Sequence, residues 1–574
     1  MKALGLDDFR EVWFVDFEYQ QPPGENPIPL CMVGYEQRSG RYLRLWRDDL
    51  SSLQSSPIDI CRDVLFVAYN ASAELSCYTA LGWEFPLAIL DLYAEYRNLR
   101  SGLGAIAGFG LLGCLAYFGL DGLDSVEKNT MRDLAMRGGS YSQVERDALI
   151  TYCQTDVDAL VRLLPHFLPM IDSNFAYPLA RGRYMGAVAR MQWDGVPIDL
   201  ALLEKLRGRW DDIKDALISK VDRDYGVYEG RTFKVERFQS WLQRAGIAWP
   251  YLDSGAINLQ EKTFEEMDAT YPEVSDLYQL RVTLSQLKLN KLEVGSDGRN
   301  RSSLFPFGSK TSRNQPSTTQ FIFGPAVWLR GLIKPEPGRA VAYVDWEQQE
   351  FGIAAALSGD LAMMEAYSSG DPYLAFGIQA GMCPPGATKK THESERDLCK
   401  SCILGTQYGM GYQTLSERIK SAPIVARELL RLHRETYSRF WAWSDASERH
   451  AMLFGKLATV FNWEVHVSLE TNARSLRNFP MQANGAEMLR RACSSATEVG
   501  IRICAPVHDA ILIEASLEDI DDAVRETQAH MTQASEGVLG GYRLRSDAKV
   551  IRFPDRYSDK RGEKMWETVM GFVK

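Results

Sequence analysis

A pair of carboxylates near the start of the sequence has the type and spacing that metal chemistry needs. The apolar run "EVWFVDFEY" carries Asp16 and Glu18. Residues two apart in a strand point to the same face, so the two carboxylates repel each other unless a cation lies between them. A divalent ion with oxygen ligands, such as Mg²⁺, satisfies that arrangement.

Two more pairs follow at helical spacing. Asn70 and Glu74 come four residues apart after the run "LFVAY", which predicts a helical turn. Tyr152 and Asp156 lie four apart in the amphipathic stretch "YCQTDVDALVRLL". Residues at this spacing share one face of a helix. Each pair alone is typical of a solvated surface, and only their combination in one chain indicates a metal site.

Two aspartates in the second half stand at the ends of apolar strands. Asp345 closes the run "GRAVAYVD", and Asp509 follows His508 on the turn between "ICAPV" and "AILIE". A polar hairpin turn is the simplest explanation of "HD" alone. If the three strands share a sheet, Asp345 and Asp509 meet and can hold two Mg²⁺ ions. One ion would activate a 3′-hydroxyl and the other would steady a departing pyrophosphate.

A stripe of cations and an aromatic ring is the third feature. Arg396, Lys400, Leu404 and Tyr408 are spaced by four in "ERDLCKSCILGTQYGMG". On an α-helix they form one slowly drifting line roughly 18 Å long. Cations at one end and a ring at the other match a nucleoside triphosphate. An ordinary amphipathic surface produces the same pattern, so the stripe alone leaves both interpretations open.

The first 165 residues resemble a known family of nucleases. Their motifs D-x-E, N-x3-E and Y-x3-D occur in the order found in DnaQ-like 3′–5′ proofreading exonucleases, over about residues 10–165. The resemblance implies that the acids hold two metal ions and that the tyrosine orients the attacking water. The residues it assigns are Asp16, Glu18, Glu74, Asp156 and Tyr152. Glu74 stands where the family usually has Asp.

Three ordered motifs make the rest of the chain similar to family A DNA polymerases, the polymerase I type. "DWEQQE", from Asp345, resembles motif A, and "VHDA" resembles motif C. The R-x3-K-x7-Y-G pattern of motif B runs from Arg396 to Gly409. The resemblance implies that Asp345 and Asp509 bind the metals and that Lys400 acts in catalysis.

The same resemblance implies the binding roles of further residues. Those assigned to the incoming nucleotide are Arg396, Lys400, Leu404, Tyr408, Glu350 and Tyr373. Those assigned to DNA are Arg313, Arg474, Asn478, Gln482 and His508. In a DNA-copying enzyme Glu350 would crowd the ribose 2′ position, and His508 would face the primer end.

Three positions depart from the polymerase pattern. Ala510 replaces the glutamate of motif C, which is auxiliary in the family, so activity is expected to persist. Leu404 stands where Phe or Tyr contacts the sugar, which leaves dideoxynucleotide discrimination open. Tyr373 replaces a histidine that contacts phosphate; its hydroxyl can bond a phosphate but carries no positive charge.

Length and composition predict a multidomain globular protein. The chain has 574 residues, of which 45% are hydrophobic and 24% charged. A net charge of −10 argues mildly against a nucleic-acid partner unless basic residues gather in one groove. The predicted fold class is α/β and α+β multidomain, with an RNase H-like exonuclease domain before a right-hand polymerase.

The predicted division of the chain follows the motifs. It assigns 1–170 to the exonuclease domain, 171–205 to the start of the palm, 206–300 to the thumb, 301–360 to the palm with motif A, 361–455 to the fingers with motif B and 456–574 to the palm with motif C.

The expected cofactor is Mg²⁺, two ions in each active site, with Mn²⁺ as a substitute. The expected partners are primer-template DNA, dNTPs and a single-stranded DNA 3′ end in the exonuclease site. We expect a monomer with replisome helper proteins. Ten scattered cysteines suit a reducing cytoplasm, and the CxxC from Cys399 to Cys402 predicts helix packing rather than zinc.

One uncharged stretch, 101–120, is long enough to cross a bilayer. Its six glycines make it a poor membrane span. We predict a buried loop and helix there, and no membrane partner.

Two further inferences come from the chain's extent. We expect no separate 5′-nuclease domain, because the first nuclease motif lies close to the start of this sequence, and this compact form resembles phage replicative enzymes. Some phage relatives copy genomes that contain 2-aminoadenine in place of adenine, which is a minority alternative here.

Two other functions stay open. A single-subunit RNA polymerase has a similar palm, but Glu350 and the attached nuclease motifs argue against it. A non-catalytic DNA-binding relative would explain Ala510, but intact Asp345, Asp509 and Lys400 argue against decay.

Overall fold

The structure, a computed structural model, describes residues 5–121, 125–171, 174–252, 254–286, 289–324, 326–407 and 409–573. Tyr408 of the predicted stripe lies outside these ranges. The described residues build a mixed α/β protein with two larger sheets and extensive helical layers.

The strands are short and mostly paired with neighbours in the chain. They are β1 (Glu11–Gln20), β2 (Ile28–Glu36), β3 (Arg41–Trp46), β4 (Val64–Ala68), β5 (Ala88–Asp91), β6 (Val196–Pro197), β7 (Tyr228–Glu229), β8 (Thr232–Phe233), β9 (Arg299–Asn300), β10 (Arg339–Trp346), β11 (Lys456–Ala458), β12 (Glu464–His466), β13 (Arg502–Val507), β14 (Ala510–Ser516) and β15 (Ser546–Arg552).

Helices make up most of the remaining chain. They are α1 (Arg47–Ser52), α2 (Ser72–Ala80), α3 (Leu92–Arg100), α4 (Leu111–Tyr117), α5 (Ser125–Arg137), α6 (Gln143–Ile171), α7 (Ala176–Asp194), α8 (Leu200–Gly208), α9 (Trp210–Asp222), α10 (Val235–Ala245), α11 (Glu261–Thr270), α12 (Ser275–Gln286), α13 (Gln349–Ser358), α14 (Leu361–Ser368), α15 (Pro372–Gln379), α16 (Glu393–Gln407), α17 (Tyr412–Arg418), α18 (Pro423–Thr436), α19 (Ser438–Phe454), α20 (Ala473–Glu498), α21 (Ile520–Val538) and α22 (Glu563–Val573).

The N-terminal sheet has the strand order β3-β2-β1-β4-β5. Strands β4 and β5 run parallel to β1, whereas β2 is antiparallel to β1. The central strand is apolar at consecutive positions, from Val12 to Val15, and all four side chains are buried. A strand covered on both faces needs such a run. Helices α2 and α6 pack against β1 and thereby bring their polar residues to it.

The C-terminal sheet has the order β13-β14-β10-β15 and is antiparallel throughout. Strand β10 lies between β14 and β15, and α21 packs on it. This arrangement places the predicted strand end at Asp345 beside the hairpin that carries Asp509. The three strands therefore share one sheet, as a common metal site for Asp345 and Asp509 requires.

In the sequence, one group of helices precedes strand β10 of the second sheet and another group follows it. Residues 200–286 form α8 to α12 with one small hairpin, and residues 349–454 form α13 to α19. The stripe helix is α16, and Cys399 and Cys402 on it are buried free thiols, which confirms the packing interpretation of the CxxC.

The glycine-rich stretch 101–120 differs in part from its prediction. Helix α4 does contact α6, but the segment before it is mostly exposed, and Ile106 is fully so. The backbone of an irregular segment must keep its polar groups hydrogen-bonded, which favours the surface. Within the described ranges, no helix combines the length and the apolar character that a membrane crossing requires.

Candidate active sites

Three carboxylates of the N-terminal domain form one cluster. Oxygens of Asp16, Glu18 and Asp156 all lie within 4.8 Å of one another. The two residues on β1 share a face because they are two apart, and α6 packs across that face. The carboxylate pair of the strand and Asp156 of the helix, which are far apart in the sequence, thus meet in one place.

Burial and mutual repulsion raise the pKa values of this cluster. The pKa of Asp16 rises to about 8, first through burial and then through the charge of Asp156. Burial, followed by the charge of Asp16, raises the pKa of Glu18. A bound cation would relieve both effects, because it favours the ionised form of each carboxyl group.

Glu74 lies beside the cluster on α2. Its side chain is buried, and Oε2 has no hydrogen-bond partner among the described residues. Burial and then Asp16 raise its pKa. Asn70, expected on the same helical turn, instead precedes the helix with φ of 68°. Asn tolerates this left-handed conformation, and here it makes the turn into α2.

Tyr152 stands one helical turn before Asp156 on α6. Burial raises the pKa of its hydroxyl, and the Asp156 charge adds to the effect. The hydroxyl therefore keeps its proton and can donate a hydrogen bond.

Lys128 on α5 was missed by sequence reasoning. Its ammonium nitrogen lies 3.5 Å from the Asp156 carboxylate. A lone lysine in "SVEKNTM" has no pattern that signals such a contact. It supplies the cluster with a positive charge, and it lowers the pKa values that repulsion raises.

A cavity of about 450 Å³ opens between the N-terminal domain and segments of the C-terminal part. Its lining includes Tyr19 and Asn70, neighbours of the acidic cluster, together with Arg132, Trp193 and Phe305. Aromatic rings and a cation are the groups that bind single-stranded nucleic acid.

The second site is built around Asp345 and Asp509. Asp345 pairs in register with Ala510, so the hairpin tip places Asp509 next to it. Burial and then Asp509 raise the pKa of Asp345 to about 7. Burial also raises the pKa of Asp509. Asp345 Oδ1 has no hydrogen-bond partner in the described part of the chain.

The hairpin tip is a strained two-residue turn. Val507 pairs with Ala510, and His508 between them has φ of 56°. Tight turns of this kind usually place glycine where φ is positive. A non-glycine residue there costs about 1–3 kcal/mol, and such strain concentrates at functional sites. The turn leaves His508 exposed beside the aspartates.

An ion pair borders the aspartates. Arg313 Nη2 lies 3.2 Å from a carboxylate oxygen of Glu350, which sits in the first turn of α13. Both charges act on Asp509: Arg313 lowers its pKa and Glu350 raises it. The predicted primer contact and the predicted sugar contact are therefore neighbours.

The stripe helix brings its two cations over one aromatic ring. Arg396 and Lys400 lie 5.4 and 5.9 Å from the ring centre of Tyr373 on α15. Arg396 also donates to Asp371 at 2.5 Å. Lys400 is exposed and makes no ion pair with any described residue. Leu404, one turn further along α16, is half-buried.

The predicted minor-groove residues lie on one helix. Arg474, Asn478 and Gln482 follow each other at four-residue intervals along α20. A side chain at Gly409 would meet Arg474 Cγ at 3.0 Å, so the start of α20 touches the segment after α16. Asn478 Oδ1 is buried with no hydrogen-bond partner in the described ranges.

Asp547 is a third carboxylate that sequence reasoning missed. It pairs in register with Asp345 on the opposite side from Ala510. Directly paired residues point to the same face of a sheet, and Asp547 helps to raise the pKa of Asp345. Asp547 can be recognised as part of this site only from the pairing of β10 with β15, which the sequence alone does not reveal.

Both sites fit divalent cations. Their donors are carboxylate oxygens, which Mg²⁺ and Mn²⁺ prefer. Buried oxygens of Asp16, Glu74 and Asp345 have no hydrogen-bond partner among the residues that the structure describes. Carboxylates that repel each other without a partner are expected where a cation completes the site.

The architecture matches a solved polymerase structure. The POL domain of Pol1 from M. smegmatis, in complex with DNA primer-template and dNTP, aligns with a TM-score of 0.72 at 16% identity. The alignment covers 99% of this chain and 97% of that one. The chain thus has the mixed α/β multidomain fold of polymerases with palm, fingers and thumb, as the sequence predicted.

Sequence comparison is more specific for one part of the chain. Residues 324–545 match the model of DNA polymerase family A. This region contains Asp345, Lys400 and Asp509. Residues 324–545 are therefore similar to DNA polymerase family A, in agreement with the resemblance drawn from the three motifs there.

Curated relatives agree with this assignment. DNA polymerase I of Chloroflexus aurantiacus is 22% identical over 434 residues, 69% of this chain and 46% of the relative. The DNA polymerase of Mycobacterium phage D29 is 24% identical over 215 residues, 37% of this chain and 35% of the relative. The matches span less than half the length of either relative.

Proposed function

We propose that this chain is a template-directed DNA polymerase that also removes nucleotides from DNA 3′ ends. The observation that carries the proposal is the presence of two carboxylate centres in one chain. One is the Asp345–Asp509 pair beside the cation-bearing helix α16, within a family A region. The other is the Asp16, Glu18 and Asp156 cluster.

At the polymerase centre, Asp345 and Asp509 would hold divalent ions. When bound, these ions activate the primer 3′-hydroxyl and neutralise charge on the pyrophosphate. Arg396 and Lys400 bind the triphosphate, and Tyr373 lies against both cations. The proposed partners are primer-template DNA and dNTPs, as in the complex of the M. smegmatis domain.

The primer end is held by groups around the aspartates. Arg313 contacts its minor groove, and exposed His508 faces it from the strained hairpin tip. The face of α20 that carries Arg474, Asn478 and Gln482 lines the minor groove of the new base pair.

At the exonuclease centre, Asp16, Glu18, Glu74 and Asp156 would hold the cations. Tyr152 keeps its proton because burial raises its pKa, so it orients the attacking water as a hydrogen-bond donor. The cavity of about 450 Å³ beside the cluster has room for the frayed 3′ nucleotide.

A primer-extension assay tests the proposal. With Mg²⁺ and dNTPs the primer should lengthen, and without nucleotides its 3′ end should shorten. Lengthening with rNTPs as efficiently as with dNTPs would favour the RNA polymerase alternative. Absence of both lengthening and shortening would favour a non-catalytic DNA-binding relative.

Lys400→Ala should lower the maximal incorporation rate by about 10²–10³, the usual cost of losing one electrostatic donor. Pyrophosphate gains charge as it leaves, so the cation stabilises the transition state more than the bound substrate. Arg396→Ala should chiefly raise the dNTP concentration for half-maximal rate. Single-turnover incorporation at varied dNTP separates the two effects.

The control for this pair is Lys389→Ala, which removes an exposed lysine outside the stripe helix. It should leave both parameters unchanged. A Lys400→Ala enzyme that lost only apparent dNTP affinity would contradict the assigned role.

Glu350→Ala should increase ribonucleotide insertion relative to deoxynucleotide insertion. Its carboxylate lies next to Arg313 and acts on Tyr373, so it can crowd the sugar and fix the side chains around it. The measurement is the ratio of rNTP to dNTP incorporation efficiency. Glu347→Ala, three residues earlier and paired with Arg545, is the control. Unchanged sugar selectivity in Glu350→Ala would mean that Leu404 or another group excludes the ribose 2′-hydroxyl.

A further inference from the structure

Helix α3 (Leu92–Arg100) connects the two candidate sites. It has nine residues and lies in the N-terminal domain directly after β5. At its start, the helix is hydrogen-bonded to residues 70–71, the turn that leads into α2 and Glu74. One side of the helix contacts segment 305–313 of the C-terminal part, which carries Arg313.

The first contact is made by Asp91, which caps the helix. Its carboxylate accepts hydrogen bonds from the backbone of Tyr93 and Ala94. It also accepts from the backbone N–H of Asn70 at 2.9 Å and of Ala71 at 3.2 Å. The turn into α2 is therefore fixed to the start of α3.

The second contact is a row of side chains that donate to backbone carbonyls. Tyr93 and Arg97 are four residues apart and lie along one side of the helix, and Ser101 follows directly as its C-cap residue. The bonds run from Tyr93 Oη to Pro306 at 3.4 Å, from Arg97 Nε to Phe307 at 2.9 Å, from Arg97 Nη2 to Gly308 and from Ser101 Oγ to Lys310 at 3.1 Å.

Segment 305–313 depends on such support. Phe305, Phe307 and Ser312 all have positive φ, between 42° and 58°. Each such non-glycine residue costs about 1–3 kcal/mol and persists only where the surroundings fix it. On its other side the segment is held by α20, where Arg490 Nη1 donates to the Ser312 carbonyl at 2.8 Å.

The position of this segment determines where Arg313 lies. The Arg313 backbone N–H donates to Ser309 Oγ at 2.9 Å, inside the same segment. Its guanidinium then reaches Glu350 at 3.2 Å, next to Asp509. A shift of the segment would move the guanidinium with it.

We propose that Arg97 and Ser101, although they belong to the N-terminal domain, are positioning residues for polymerisation. They hold segment 305–313 in its strained conformation and thereby keep Arg313 at the primer end. This inference rests on the proposed function, because Arg313 is a primer contact only in that context. Its consequence is that the nuclease-like domain is a structural component of the polymerase site.

The test is a double-mutant cycle between Arg97 and Arg313. Extension of a matched primer end is measured in a background with Asp16→Ala and Glu18→Ala, so that degradation does not interfere. Arg97→Ala should reduce extension efficiency about tenfold, the scale for loss of charge-assisted hydrogen bonds. Ser101→Ala, which removes one neutral bond, should have a smaller effect in the same direction.

In an Arg313→Ala background, Arg97→Ala should cause little further loss, because it acts through Arg313. Multiplicative losses would overturn the inference, as would normal extension by Arg97→Ala. Degradation of single-stranded DNA, measured with intact Asp16 and Glu18, should stay near the parent rate in Arg97→Ala. That readout excludes general unfolding, and a matching loss of degradation would count against a positioning role.

Arg100→Ala is the matched control. Arg100 lies on the same helix but donates within its own domain, to the Gly104 carbonyl. It should extend primers like the parent. A parent protein that fails to extend any primer would refute the proposed function itself. Normal extension by the parent with normal extension by Arg97→Ala would refute only this inference.

Discussion

Asp345→Asn and Asp509→Asn should each reduce primer extension by a factor on the order of 10³ or more, since loss of a single electrostatic donor already costs about 10²–10³. Asp345 ends β10 and Asp509 lies on the adjacent hairpin turn, and the position after Asp509 is Ala510, which offers no carboxylate. Single-strand degradation should stay intact, because its acids lie in another sheet. Both rates are measured on the same preparations.

The fold should survive the change at Asp345, because the raised pKa of this residue means that its negative charge destabilises the metal-free folded protein. Its folded pKa of about 7 lies above the unfolded value of about 3.9. The proton therefore stabilises the metal-free protein below pH 4, and this contribution is lost as pH rises through about 7. Asp345→Asn should melt higher than the metal-free parent at pH 8, and the difference should vanish near pH 4.

Added Mg²⁺ should reverse that order. It should raise the melting temperature of the parent at pH 8 more than that of Asp345→Asn, because the variant has lost a ligand. Since binding displaces a proton, the Mg²⁺ concentration for half-maximal extension should rise as pH falls below 7. Asp521→Ala, which removes an exposed carboxylate on α21, is the control. Extension by Asp345→Asn near the parent rate would disprove the assigned centre.

The parts of both sites that lie on regular elements could be predicted from the sequence. Two-residue spacing in a strand put Asp16 and Glu18 on one face, and four-residue spacing aligned Arg396, Lys400 and Leu404 along α16. The family A resemblance then supplied what periodicity cannot, namely that distant strands share a sheet. The positions of these residues were predictable because a local pattern or an ordered set of motifs determines each of them.

The rest depends on tertiary contacts that have no local signal. Lys128 reaches Asp156 only because α5 packs near α6, and Asp547 faces Asp345 only because β15 pairs with β10. Asn70 left the predicted helix because the turn into α2 needs a positive φ. The residues before α4 are exposed rather than buried, because an irregular segment keeps its backbone polar groups hydrogen-bonded most readily at the surface.

The combined change Asp16→Ala and Glu18→Ala should lower degradation of single-stranded DNA by a factor on the order of 10³ or more, because it removes two proposed metal ligands and loss of even one electrostatic contact to a transition state costs about 10²–10³. These two residues supply two of the three carboxylates whose oxygens lie within 4.8 Å of one another. Glu74 and Asp156 would remain, but two ligands from separate helices cannot hold the same arrangement.

Primer extension should persist in this double variant, and mismatched primer ends should be extended without prior removal. The metal-free variant should also melt higher than the parent above pH 8, because the pKa of Asp16 is raised to about 8 and its charge destabilises the folded state there. Glu11→Ala is the control: Glu11 lies on the same strand but contacts Arg10 and Trp13, away from the cluster. Degradation at the parent rate in the double variant would place the nuclease centre elsewhere in the chain, whereas loss of both activities would point to unfolding rather than to loss of metal ligands.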